Sequence, residues 1–93
     1  MTFAFLILGD FDPAHDRAAI GNGAVTTVGV PSVEAACAVA AELKTQGVSC
    51  IELCGGFTEA GARRIIQATG GDVAVGFVVH LPEQDALYQT LFG

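Results

Sequence analysis

The chain has 93 residues, enough for one domain, and 52% of them are hydrophobic while only 15% are charged. Its formal net charge of −6 argues against nucleic acid and anionic membranes as partners, because phosphate groups are bound by clusters of basic side chains. Such an apolar composition means either that the strands are covered on both faces or that a bare face is buried against a second copy. We therefore expect a homo-oligomer.

The three cysteines, Cys37, Cys50 and Cys54, are an odd number without a disulfide-scaffold pattern, so we expect reduced thiols and a cytoplasmic location. The apolar segment Met1–Leu8 follows no Lys or Arg and is cut off by Gly9. It is too short and wrongly flanked for a signal peptide or a membrane span.

The first predicted strand is Thr2–Leu8, a continuous apolar run of the kind that lies inside a parallel sheet. A short helix is predicted from Pro13 to Ile20. Asp12 can accept hydrogen bonds from the open N–H groups of its first turn, and proline suits the first helical position. The glycines around Asn22 are predicted to end this helix.

A second strand and a longer helix follow. The β-branched segment Ala24–Val30 predicts the strand. The helix is predicted from Val33 to about Gln46, with Ser32 as its N-cap and Gly47 as its left-handed stop.

The same unit repeats in the second half of the chain. Val48–Cys54 predicts the third strand, and Thr58 is expected to cap a helix from Glu59 to about Thr69. Val73–Val79 predicts the fourth strand, and Pro82 begins a last helix. Three apolar side chains are expected to dock that helix on the body, namely Leu87, Leu91 and Phe92.

Alternating strands and helices predict a single α/β domain over residues 1–93 with a mainly parallel four-stranded sheet. We favour the flavodoxin-like strand order 2-1-3-4, which places helices on both faces of the sheet. The alternative is the sequential order 1-2-3-4, a half barrel whose bare face would have to pair with another copy.

The carboxyl ends of parallel strands share one edge of the sheet, where ligands bind. Helix N-termini at that edge favour an anion, and glycines allow the backbone to approach it. The predicted ligand-binding residues are Asp10, Ser32, Gly55, Gly56 and Thr58. The simpler alternative is that these residues only serve turn geometry.

Cys54 precedes a helix N-terminus, a position that can activate a thiol, and His80 follows a neighbouring strand and can serve as its base. The simpler reading is a small buried hydrophobe. Cys50 lies about 13 Å from Cys54 along an extended strand, too far for a disulfide or a shared zinc ion. We expect no metal site and no cofactor.

Glu52 is a carboxylate inside an otherwise apolar strand, on the face that also carries Val48, Cys50 and Cys54. It can face water, pair with an arginine, lie at an interface, or act as a general acid or base. The acidic residues Asp10, Asp12 and Asp16 around His15 can hold a hard cation, although capping and solvation explain them more simply.

Four segments, GVPSVEAA, IELCGGF, GARRII and VAVGFV, resemble a small prokaryotic family known only as a domain of unknown function. The resemblance runs from FAFLILG to the last strand. It implies a compact α/β domain and no assigned activity. The strand-borne glutamate and Gly-Gly end also resemble aldolase-type barrels. However, the only lysine, Lys44, lies in a predicted helix, which argues against Schiff-base chemistry.

The sequence supports three hypotheses about function. The first is a module that binds a small molecule or anion at the carboxyl edge of the sheet. The second is a small enzyme that uses Cys54 or Glu52 with His80 on a carbonyl or phosphorylated metabolite. The third is a structural or regulatory oligomeric subunit without a pocket.

Overall fold

The computed structural model describes residues 1–93 as one five-stranded sheet and three α-helices. The strands are β1 (Thr2–Leu8), β2 (Arg17–Ile20), β3 (Val25–Val30), β4 (Val48–Leu53) and β5 (Ala74–Phe77). The α-helices are α1 (Val33–Thr45), α2 (Thr58–Ala68) and α3 (Asp85–Phe92). Single 3₁₀ turns lie at Gly21–Gly23, Gly55–Phe57 and Pro82–Gln84. None of the helices has the length and hydropathy that crossing a membrane requires.

The strand order is β2-β3-β1-β4-β5, and every neighbouring pair is parallel except β2 with β3. The predicted α/β class with a mainly parallel sheet is therefore confirmed. The four parallel strands follow the predicted 2-1-3-4 arrangement. The four-stranded prediction missed the antiparallel edge strand β2, so the complete order differs in detail.

The predicted helix from Pro13 to Ile20 does not form. Asp12 instead closes a tight turn, because its carbonyl oxygen accepts from the Asp16 N–H at 2.7 Å and its Oδ1 accepts from the Ala14 N–H at 3.0 Å. The chain then runs as β2 and returns into β3 through a turn in which Asn22 has a φ of 56°. A side chain that bonds locally and a turn suited to positive φ favour a hairpin over a short helix.

The boundaries of α1 follow the sequence closely. Ser32 caps the helix, since its Oγ accepts from the Ala35 N–H at 3.0 Å, and Gly47 ends it with a φ of 94°. The start of α2 is different. A 3₁₀ turn precedes it, and Thr58, the expected cap, makes no capping hydrogen bond and has a φ of 59°.

The hydrophobic core lies between α1, α2 and one face of the sheet. On this face Leu6, Val28, Ile51 and Leu53 have no exposed surface. The expectation of helices on both faces is wrong, because the only predicted helix that would cover the other face is replaced by β2. The register of β4 against β1 also shifts near Thr2, and Val48 is buried in the core rather than sharing the face of Glu52.

The last helix does not dock on the body as predicted. None of the residues of α3 is buried, and Leu91 and Phe92 are 75% and 78% exposed. The chain leaves β5 over the edge of the sheet, and α3 is joined to that segment by the ring of Tyr88, which stacks on His80. The helix therefore stands at the carboxyl edge of the sheet.

Candidate functional site

A cleft of about 840 Å³ lies at the carboxyl edge of the sheet. Its floor is formed by the ends of β1, β4 and β5, one wall by the start of α2, and the other by α3. More than half of its lining residues are hydrophobic. The side chains and turns that carry chemistry there are Cys54, Gly55, Gly56, Thr58, His80 and Tyr88.

Cys54 is fixed between two strand ends. Its backbone N–H donates to the carbonyl oxygen of Leu6, and its Sγ accepts from the N–H of Leu8 at 3.2 Å. These bonds hold the thiol beside the end of β1. Cys54 is partly exposed, so a molecule in the cleft can reach it.

The two glycines after Cys54 have different roles. A Cβ at Gly55 would lie 3.2 Å from the carbonyl oxygen of Val78, so the close approach of β5 to this turn favours glycine. A Cβ at Gly56 would meet only ordinary contacts, 3.7 Å from Cys54 Sγ and from a methyl carbon of Leu8. Gly56 therefore leaves space that a side chain would fill.

Thr58 joins this turn to α2 in a conformation that is rare for a residue with a side chain. Its φ of 59° and ψ of 178° lie in a region occupied almost only by glycine. No side-chain hydrogen bond caps the helix, so its first turn presents N–H groups at the cleft without a side-chain partner. Such strain is concentrated at functional sites in proteins, because only a well-determined surrounding structure can hold it.

His80 is oriented by two neighbours. Its Nε2 lies 2.6 Å from Asp85 Oδ1, and its ring stacks on Tyr88 with 3.9 Å between the ring centroids. Tyr88 in turn contacts Phe92 at 5.7 Å between centroids. A carboxylate bonded to one ring nitrogen fixes the tautomer of a histidine and leaves the other nitrogen for a ligand.

The structure brings together five of the predicted site residues and leaves three outside. Cys54, Gly55, Gly56, Thr58 and His80 line the cleft, whereas Asp10, Ser32 and Glu52 do not. The side chain of Ser32 is used to cap α1, and Asp10 is exposed before the turn that replaces the predicted helix.

The sequence interpretation missed the aromatic wall of the cleft. Tyr88 and Phe92 are four residues apart on α3 and therefore share one face of that helix. The sequence contains this spacing, but the prediction that the apolar side chains of the last helix pack on the body assigned it to the core rather than to a cleft.

Glu52 lies on the sheet face opposite the helices, in register with Phe5 and Gly76. Cys50 Sγ donates to its Oε1 at 3.5 Å, and a Cβ at Gly76 would lie 2.7 Å from its Oε2. Burial, together with the neighbouring Glu52 carboxylate, raises the pKa of the Cys50 thiol. Cys50 therefore remains protonated at neutral pH and is a poor nucleophile.

The acidic cluster near the start of the chain forms a turn. His15 Nδ1 lies 2.7 Å from Asp12 Oδ2, while Asp16 Oδ2 accepts from the Asp12 N–H at 2.7 Å. The bond to Asp12 raises the pKa of His15, and the same bond lowers the pKa of Asp12. No group of three or more metal-ligating side chains is assembled anywhere in the chain.

The comparisons with known proteins place the chain in a family without assigning a function. It belongs to the family of unknown function DUF6506, whose model matches residues 1–93. The resemblance to an uncharacterised α/β family is thus confirmed. No curated protein and no solved structure matches the chain.

Proposed function

We propose that the chain binds a small molecule in the cleft at the carboxyl edge of the sheet. The observation that carries this proposal is the meeting, in one cleft of about 840 Å³, of an apolar lining with the Cys54 thiol, the oriented His80 and the uncapped start of α2. Ligand sites in proteins combine such an apolar surface with a few fixed polar groups, and their volumes span about 300–1,000 Å³.

The lining indicates a ligand with an apolar body and an anionic end. Ile7, Phe77 and Tyr88 offer surface to the body. The N–H groups at the start of α2 favour a carboxylate or phosphate. The one carboxylate at this end of the cleft, Glu59, is bonded to Arg63 at 2.7 Å, so its charge is largely balanced.

A ligand screen tests this proposal. The wild-type chain is titrated with small aromatic and aliphatic carboxylates, their phosphorylated counterparts and the matching neutral amides, and amide chemical shifts are recorded by NMR. We expect the anions to perturb residues 54–60 and 88–92 and the amides to bind at least tenfold more weakly, a difference of about 1.4 kcal/mol.

Gly56→Val provides the decisive variant, because it adds a side chain where the structure leaves only ordinary contacts. It should abolish the shifts without unfolding the chain. Ser49→Val is the matched control, since Ser49 is exposed on β4 away from the cleft. Anion binding that survives Gly56→Val would place the ligand elsewhere, and a complete absence of binding would favour a structural subunit.

A small enzyme is the second candidate, supported by Cys54 and His80 lining the same cleft while Asp85 orients the histidine. In this arrangement the Cys54 sulfur bonds to a carbonyl carbon as the C=O π bond breaks toward oxygen, and His80 accepts the thiol proton. Glu52 does not line this cleft.

The thiol candidate is tested by the rate of alkylation of Cys54 against pH, in a Cys37→Ser, Cys50→Ser background. Activation by His80 predicts faster alkylation of Cys54 at neutral pH than of a free cysteine, and loss of that excess rate in His80→Gln. A Cys54 that reacts like free cysteine in both proteins would exclude thiol catalysis and leave the binding proposal intact.

A further inference from the structure

The face of the sheet opposite α1 and α2 is covered by neither helix, and we call it the open face. Strand register assigns its side chains: Phe3, Phe5 and Ile7 from β1, Ile20 from β2, Val25 from β3 and Glu52 from β4. Phe5, Ile7 and Ile20 are 37%, 39% and 65% exposed. Their exposure follows from the packing of α1 and α2 together on the other face.

The charge distribution restricts what can cover the open face. Glu52 is the only charged side chain that strand register places on it, and His15, Asp16 and Arg17 border it beside Phe11 and Ile7. Three of the four basic residues are paired: Arg17 bonds Glu42 of α1, Lys44 bonds Asp72, and Arg63 of α2 bonds Glu59. The fourth, Arg64, also belongs to α2. Neither an anionic nor a basic partner finds a cluster of opposite charge there, because the charges are one carboxylate within the face and one mixed group at its border. The surface that fits the open face is therefore apolar and carries little charge.

The size of the open face comes close to what an interface needs. Five strands about 4.8 Å apart, averaging about five residues at roughly 3.3 Å each, cover about 400 Å² in plan. Two such faces together cover about 800 Å² in plan, and side-chain relief brings the buried area close to the roughly 1,000 Å² at which specific interfaces begin. An apolar patch of this size on a monomer is often functional.

We propose that the open face binds the open face of a second copy of this chain, sheet against sheet about a two-fold axis. A two-fold interface places the same patch on both partners, so the patch must be its own complement. An apolar, nearly uncharged sheet face meets this requirement, and two such faces pack at about 10 Å. The product is a four-layer dimer with helices outside and the two sheets within.

The dimer also places the second copy beside the cleft. Ile7 belongs to the open face and to the lining of the cleft. Val78, which continues β5 beyond Phe77, lines the same cleft and is 50% exposed. The partner sheet would cover these side chains where the cleft meets the open face, so the dimer closes one side of the cleft.

Sedimentation velocity of the full chain from 1 to 100 µM tests the proposal. We expect a dimer for the wild type. Phe5→Glu places a charge at the centre of the interface and should weaken the dimer at least roughly a hundredfold. Ile20→Glu, at an already exposed position on β2, should weaken it without threatening the fold, which circular dichroism verifies.

Two further variants make the outcome specific. Glu52→Gln removes the charge within the open face at nearly constant size, so it should tighten the dimer. Leu87→Glu is the matched control, because Leu87 is 59% exposed on α3 and lies off the open face. A wild type that stays monomeric at 100 µM would overturn the proposal. So would a dimer that is lost in Leu87→Glu but kept in folded Ile20→Glu.

Discussion

The two faces of the sheet are built from the same strands and differ in what covers them. Along β1, Leu6 is fully buried under the helices while its neighbours Phe5 and Ile7 are more than one third exposed. Both sets are apolar, so hydrophobicity alone does not distinguish the faces. The connections between the strands decide which face receives a helix.

Right-handed crossovers explain the difference. The connections from β3 to β4 and from β4 to β5 run in one direction across the sheet, and they place α1 and α2 on the same face. The connection from β1 to β3 runs in the opposite direction, so a helix there would have covered the other face. The chain forms β2 in that connection, and the open face is the consequence.

The largest predicted effect contrasts neighbouring residues of β1. Leu6→Ala should lower the free energy of unfolding by about 2–5 kcal/mol, because it leaves a cavity in the core. Ile7→Ala should cost about 1 kcal/mol in the isolated chain, since its side chain is already partly in water. Urea denaturation measures both.

These measurements are made in the Ile20→Glu background, which keeps the chains apart if the open face is the dimer interface. In the wild-type background the loss in free energy of unfolding caused by Ile7→Ala should rise with protein concentration, whereas the loss caused by Leu6→Ala should not. Equal costs for the two substitutions in the monomer would show that the open face is covered within one chain.

The second prediction contrasts two glycines of the open face. Gly29→Ala would place a Cβ 2.5 Å from Cγ of Phe11, whose ring covers this glycine. Displacing the ring should lower the free energy of unfolding by about 1–3 kcal/mol. Gly76→Ala meets Glu52 Oε2 at 2.7 Å, but that is the end of a flexible side chain. It should cost less than about 1 kcal/mol, because the carboxylate can turn away.

Thermal or urea unfolding ranks the two variants. Gly29→Ala combined with Phe11→Ala serves as the control, because removing the ring should remove most of the added cost of the alanine. If Gly76→Ala proved the more harmful of the two, the Glu52 carboxylate would be held rigidly rather than free to move.

The contrast between the faces also shows what the sequence could reveal. The parallel strands, α1 with its Ser32 cap and the edge bearing Cys54 and His80 were predicted, because caps, periodicity and strand ends are local signals. The hairpin of β2 and β3 was not predicted, although Asn22-Gly23 is a strong hairpin signal. Asp12-Pro13 is an equally valid helix start, and only the pairing of β2 with β3 decides between them.

The position of α3 was beyond local signals for a different reason. Its apolar residues follow helical spacing, and spacing predicts an apolar face without saying what that face contacts. Thr58 illustrates the same limit at the cleft. A threonine before an acidic first turn is a typical cap, but here Thr58 follows a 3₁₀ turn and has a φ of 59°.

The smallest predicted effect concerns the turn that stands in place of the missing helix. Hydrogen bonding to Asp12 raises the pKa of His15 above 6.5. The stability that protonated His15 gives the turn is therefore complete below pH 6.5 and is lost as pH rises through the raised pKa. The bond to His15 lowers the pKa of Asp12 below 3.8. The stability that the ionised Asp12 carboxylate gives the turn is therefore lost as pH falls through the lowered pKa. The pair therefore supports the turn best between about pH 4 and 6.5.

NMR titration of the His15 ring measures this directly. Asp12→Asn should return the pKa of His15 toward 6.5 and abolish the pH dependence of the hydrogen-exchange protection factor at the Asp16 N–H, which bonds the Asp12 carbonyl. The effect on global stability should be slight, because both side chains are exposed. Asp72→Asn, which breaks a partly exposed pair with Lys44 on the helical side, is the control and should leave His15 unchanged. A His15 that titrates at the same pH with and without the Asp12 carboxylate would mean that the backbone bonds alone hold the turn.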